Sequence, residues 1–118
     1  MILGRFYFTQ TQNGNLLGEF SNNTSLGNSS ESADINSLFD SNRKFLGYYR
    51  STWFENGAQF LNLNIEEKGG TGGRILILRW HNPDGTIAFY GEGFLNADIL
   101  IGNYWDREIQ DRIGESLL

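Results

Sequence analysis

The sequence predicts an all-β fold: an antiparallel up-and-down meander of about eight strands, closed or partly open as a barrel, followed by a short C-terminal α-helix. Three observations predict it. Segments rich in aromatic and β-branched residues recur along the chain, as a pleated, half-buried surface requires. Turn signals separate them: Asn13-Gly14, Asp40-Ser41-Asn42, Glu55-Asn56-Gly57, the run from Lys68 to Gly73, and Asn82-Pro83-Asp84-Gly85. Glycines also fall inside predicted strands, notably Gly91, Gly93 and Gly102. There they cost stability and mark the bends by which a sheet curls toward closure. The chain has 118 residues, enough for one domain with one core. That domain spans 1–118, with strands over about 4–105 and the helix over about 106–117.

Gly4 to Gln12 reads as the first strand, with Phe6 and Phe8 on one face. Asn13-Gly14 reads as a two-residue type I′ turn, which needs positive φ at both central positions. Leu16 to Ser21 returns, with Leu16, Gly18 and Phe20 sharing a face, and Asn22 to Ser32 is polar and unpatterned, an exposed loop. Ala33 to Phe39 fits two periods. Ile35, Leu38 and Phe39 make a helical face; Ile35, Ser37 and Phe39 make a strand face, which the following turn favours.

Lys44 to Phe54 is a longer strand, with Gly47, Tyr49, Ser51 and Trp53 opposite Leu46, Tyr48, Arg50 and Phe54. In Phe60 to Glu66 the alternation is clean: Leu61, Leu63 and Ile65 face in, and Asn62, Asn64 and Glu66 face water. Arg74 to Asn82 is apolar on both faces, with Ile75 and Ile77 opposite Leu76, Leu78 and Trp80. Thr86 to Trp105 is a hairpin bent at Leu95-Asn96-Ala97. Beyond it, Trp105, Ile109, Ile113 and Leu117 recur every fourth residue, the spacing of an amphipathic helix that Asp106 can cap and a Glu108–Arg112 pair can support.

Fourteen acidic against nine basic residues give a net charge of −5, and the basic residues are scattered. No basic stripe exists to track a phosphate backbone, so no nucleic-acid partner is expected. No apolar run reaches membrane-spanning length, no leader-like segment opens the chain and there is no cysteine. The expectation is a cytoplasmic protein with no membrane partner, no disulfide and no thiolate metal site.

Few residues suggest chemistry. His81, the single histidine, sits at a strand end beside a turn, where it reads as an exposed polar residue. No metal-ligand spacing surrounds it. Glu92 lies between Gly91 and Gly93 in an aromatic-rich strand, so its carboxyl either enters an apolar interior or pairs outside with Arg79 or Arg50. Glu19 repeats that environment less clearly. The glycine run 69–73 joins two strands rather than a strand and a helix, so it reads as a hairpin loop and not a phosphate cradle. Tyr49, Trp53, Trp80 and Phe89, with Arg79 and Glu92 as polar groups, are the candidate ligand-binding set. No catalytic residue, metal ligand or cofactor is assigned.

Gly4/Phe6, Gly18/Phe20, Gly47/Tyr49 and Gly102/Tyr104 each place a glycine and an aromatic two residues apart on one strand face. With a Gly-x-aromatic opening, a basic residue after the last strand and a closing helix, the arrangement resembles the calycins: lipocalins, fatty-acid-binding proteins and avidins. The resemblance implies a small barrel in which Gly4, Phe6 and Arg107 close one end. Phe6 stands where those families carry tryptophan, and the lipocalin Thr-Asp-Tyr motif and the avidin biotin set are missing.

The first functional expectation is a non-enzymatic barrel holding a small hydrophobic or aromatic ligand. The second is a protein-interaction or assembly module using an outer apolar face. The third is a barrel enzyme with acid–base chemistry at Glu92 or His81. Apolar residues on both faces of several strands add the expectation of a homodimer: Leu46, Tyr48 and Phe54, then Leu76, Leu78 and Trp80, then Leu100 and Tyr104 are taken as the outer set.

Overall fold

The computed structural model describes residues 1–113. Eight antiparallel strands form a closed barrel in sequence order: β1 (Leu3–Gln10), β2 (Leu16–Asn22), β3 (Ser29–Ile35), β4 (Gly47–Phe54), β5 (Ala58–Glu67), β6 (Ile75–His81), β7 (Ile87–Asn96) and β8 (Ile99–Asp106). Each strand pairs with the next, and β8 returns to pair with β1, Phe6 opposite Gly102. Helix α1 (Arg107–Ile113) follows β8. Asp106 caps it, its Oδ1 accepting from the Ile109 amide at 3.1 Å, and Glu108 pairs with Arg112 at 3.7 Å. The expected helical position Leu117 lies outside the described residues.

Alternation fills the interior. Phe6 and Phe8 of β1, Leu61, Leu63 and Ile65 of β5, Leu76, Leu78 and Trp80 of β6, and Leu100 and Tyr104 of β8 are all buried. Each such side chain contributes about 1.5–3 kcal/mol by leaving water. Closure depends on strands approaching too closely for side chains. Gly93 lies opposite Gly102, and a Cβ on Gly102 would collide with the Glu92 carbonyl. Rings cover other bare positions: Tyr104 packs on Gly4 across the β1–β8 pair, Phe8 on Gly18 across β1–β2, and Trp80 on Gly91 across β6–β7.

One end of the barrel is plugged. Tyr49 OH donates to the Phe45 carbonyl at 2.8 Å and accepts from Gln10 Nε2 at 2.9 Å, while the Phe45 amide donates to Gln10 Oε1 at 2.6 Å. Phe45 holds a positive φ of 71° to make this closure. Burial pushes the Tyr49 phenol up to about 12.

Three expectations are corrected. Strand β3 starts at Ser29, inside the segment read as an exposed loop, and ends at Ile35, so only the first part of 33–39 is strand. Serines carry little β propensity; pairing on both sides, to β2 and β4, holds Ser29–Ile35 extended. The β1–β2 turn is longer than a two-residue turn: Thr11 bonds Asn15, the Gly14 amide donates to the Thr11 carbonyl at 3.0 Å, and only Gly14 takes positive φ. This is a type I turn with a left-handed glycine, the three-residue alternative. Of the expected outer set, Tyr48 and Phe54 are exposed, Leu46 packs against the core, and Leu76, Leu78, Trp80, Leu100 and Tyr104 face inward; the outer apolar surface also includes Ile75, Phe94, Ile101 and Tyr7.

Gly14→Val should therefore strain the turn twice. The backbone sits at φ 92°, and a Cβ would lie 2.6 Å from the Phe39 ring. The expected loss in a urea melt is about 1 kcal/mol or more; an unchanged midpoint would show that the turn relaxes freely.

Candidate functional site

Opposite the plug, the interior opens into a cavity of about 390 Å³. Its mouth lies between the β2–β3 loop, with Asn22 and Thr24, and the β4–β5 turn, with Glu55 and Asn56. Its walls are aromatic. Phe6, Phe20, Trp53, Trp80, Phe89 and Tyr104 all line it. Phe20 meets Trp53 and Tyr104 edge-on at 6.5 and 6.1 Å, and Phe6 meets Trp80 edge-on at 5.8 Å. Edge-to-face packing of this kind fixes ring orientation and adds stability beyond area burial.

The one charged group deep in this wall is Glu31. It points inward from β3, opposite Trp53 on β4, and is only 7% exposed. Its Oε2 accepts from two donors, Ser51 Oγ on β4 and Trp80 Nε1, the latter at 3.0 Å from the far side of the barrel on β6. Burial pushes its carboxyl above the ordinary 4.5, and the two donors oppose that shift without cancelling it. Tyr104 is also raised: burial dominates, the Asn22 side chain donating to its OH at 2.9 Å opposes, and the carboxyls of Glu31 and Glu55 add to the rise.

Of the expected ligand-binding set, Trp53, Trp80 and Phe89 line the cavity. Tyr49 faces inward at the plugged end. Arg79 and Glu92 lie on the outer surface, because strand alternation that turns Trp80 and Gly91 inward turns their neighbours out. Arg79 pairs there with Glu66, and Glu92 with Lys68 at 3.2 Å. Glu19 is outside too, accepting from Tyr7 OH at 2.9 Å. His81 ends β6 with Nδ1 3.2 Å from the Gly85 carbonyl. Arg107, which the resemblance implied would help close the barrel end, is solvent-exposed and pairs with Asp111 at 3.6 Å. Glu31, Phe20 and Tyr104 were not among the expected residues. The signal for Glu31 was the alternation of Glu31, Ala33 and Ile35 against Ser30, Ser32 and Asp34, which extends the strand backward into the serine-rich segment.

Protein-family models, curated proteins and solved structures give no match to this chain. Among the described residues, no helix is long and apolar enough to cross a membrane.

A carboxyl raised in the folded state binds more protons than in the unfolded chain at any pH between 4.5 and its folded value. Stability conferred by the native state therefore falls as pH rises through that window. Glu31→Gln removes this term while keeping an acceptor for Ser51 and Trp80. In urea melts between about pH 4 and pH 8, the variant should gain on the wild type as pH rises; parallel midpoints would mean that Glu31 is not desolvated.

Proposed function

We propose that the protein is a non-enzymatic, calycin-like binding barrel that holds one small ligand with a hydrophobic or aromatic body. The observation that carries this reading is the 390 Å³ cavity walled by six aromatic side chains, at one end of a barrel whose other end is plugged. Its volume falls in the range of small-molecule sites, and few polar groups among apolar walls are what such sites use. An eight-stranded barrel has room for one small ligand when its side chains leave part of the interior unfilled. Inward Phe6 beside Gly4 at the start of β1 matches the calycin-like opening. Acid–base chemistry has less support, since His81 and Glu92 both lie away from the cavity.

N-phenyl-1-naphthylamine, an uncharged probe that brightens in apolar surroundings, should bind with energy transfer from Trp53 and Trp80. Leu61→Trp, which places an indole in the cavity wall, should weaken binding about ten-fold or more. Absence of any brightening with the wild-type protein would sink the ligand-binding reading.

An outer apolar row supports a second reading, self-association through the sheet face. Ile75, Phe94, Ile101 and Tyr7 lie side by side on β6, β7, β8 and β1, and Phe94 is 49% exposed. Sedimentation at low micromolar concentration should show a homodimer of the 13.4 kDa chain, and Phe94→Lys should release the monomer. A wild-type monomer under those conditions removes this reading.

A further inference from the structure

The polar chemistry of the cavity is one-sided. Two carboxyls line it, Glu31 in the wall and Glu55 at the rim, and no lysine, arginine or histidine does. Tyr104, whose phenol is raised chiefly by burial, is raised further by both of them. A carboxylate ligand, such as a fatty acid, would enter a field of its own sign with no cation to meet it.

Glu31 itself is half satisfied. Oε2 takes both protein donors, from Ser51 and Trp80, while Oε1 accepts from none among the described residues. No side-chain oxygen among those residues is both sealed from solvent and unpartnered. Because the side chain points inward, Oε1 must open on the cavity. A neutral apolar ligand would cover that oxygen without a donor, which is costly for a buried carboxyl. The surrounding rings favour one ligand class instead. Tryptophan and tyrosine faces attract cations, most strongly where water is excluded.

We propose that the cavity takes a small organic ammonium ion, an amine with an aryl or compact alkyl body, whose N–H donates to Glu31 Oε1 while its body lies among Phe20, Trp53, Trp80 and Tyr104. This inference rests on the binding-barrel reading and adds the charge of the ligand. Ser51 and Trp80 act as positioning residues: by holding Oε2 they aim Oε1 at the lumen. The charge-assisted bond from ammonium to carboxylate supplies the strength that a neutral donor lacks.

The test is displacement of bound N-phenyl-1-naphthylamine at neutral pH by three probes of similar shape: 2-phenylethylammonium, propylbenzene and 3-phenylpropanoate. The ammonium should displace at a concentration about ten-fold or more below propylbenzene, with the carboxylate weakest. Glu31→Gln should erase the ammonium's advantage and leave propylbenzene within about two-fold of wild type. Glu55→Gln, at the exposed rim, should keep most of it. Equal displacement by ammonium and propylbenzene overturns the proposal while leaving the binding barrel standing; so does a preference for the carboxylate. Loss of the advantage in Glu55→Gln alone overturns it by moving the counter-ion to the rim. Should Glu31→Gln fail to fold, the wild-type ranking and Glu55→Gln still decide. A wild-type protein that binds no fluorophore fails the barrel reading itself, and the ammonium proposal falls with it.

Discussion

Closure of the sheet between β1 and β8 constrains everything else in this molecule. Eight strands enclose a narrow lumen, and the sheet must coil tightly to bring Phe6 opposite Gly102. Glycine at the tightest approaches permits that coil, but each one removes a side chain from the interior. The chain compensates with rings from neighbouring strands: Tyr104 over Gly4, Trp80 over Gly91, Phe8 over Gly18. Tyr104 and Trp80 are also cavity walls. Barrel closure and the shape of the candidate site therefore share residues. Replacing either ring acts on both, so a binding defect at Trp80 or Tyr104 is not by itself evidence of ligand contact.

The two ends of the lumen handle polarity in opposite ways. At the plugged end, Gln10 uses both ends of its amide: Nε2 donates to the Gly14 carbonyl and to Tyr49 OH, and Oε1 accepts from the Phe45 amide. That network ties the β1–β2 turn to the β3–β4 loop and leaves nothing for a ligand. At the cavity end, Glu31 has two donors on one oxygen and none on the other among the described residues. Fully connected polar groups rigidify a core, whereas a partly connected one costs stability unless something completes it.

The fold was legible because its signals are local. Alternation in 60–66, the turn residues at 82–85 and the spacing of Trp105, Ile109 and Ile113 each depend on neighbours in sequence, and strands and helix appear there. The site was legible only in part. Trp53, Trp80 and Phe89 were found because aromatic residues on an inward face are visible in one strand. Arg79 and Glu92 were drawn in by their aromatic neighbours, although alternation from Trp80 and Gly91 already places them outside. Glu31 is hidden in the sequence because a carboxyl among serines looks like a solvated loop. Its burial is settled by partners far along the chain, β2 on one side, β4 on the other and Trp80 across the lumen.

The position of Glu31 is itself an argument about function. An inward site opposite Gly18 on β2 and Trp53 on β4, two residues before the buried Ala33, suits an aliphatic side chain by size and surroundings. Leucine or methionine there would bury without a desolvation penalty and would need neither Ser51 nor the indole N–H. A carboxyl instead requires two dedicated donors and still stays raised above its ordinary titration. The carboxyl gives the buried Ser51 hydroxyl and Trp80 N–H their acceptor, but those two bonds do not offset its own desolvation. Breaks in binary patterning whose cost is only partly offset cluster where a protein meets its ligand. The break here occurs in the wall of the aromatic cavity, with one oxygen turned to the lumen, which is where a ligand's donor would have to reach.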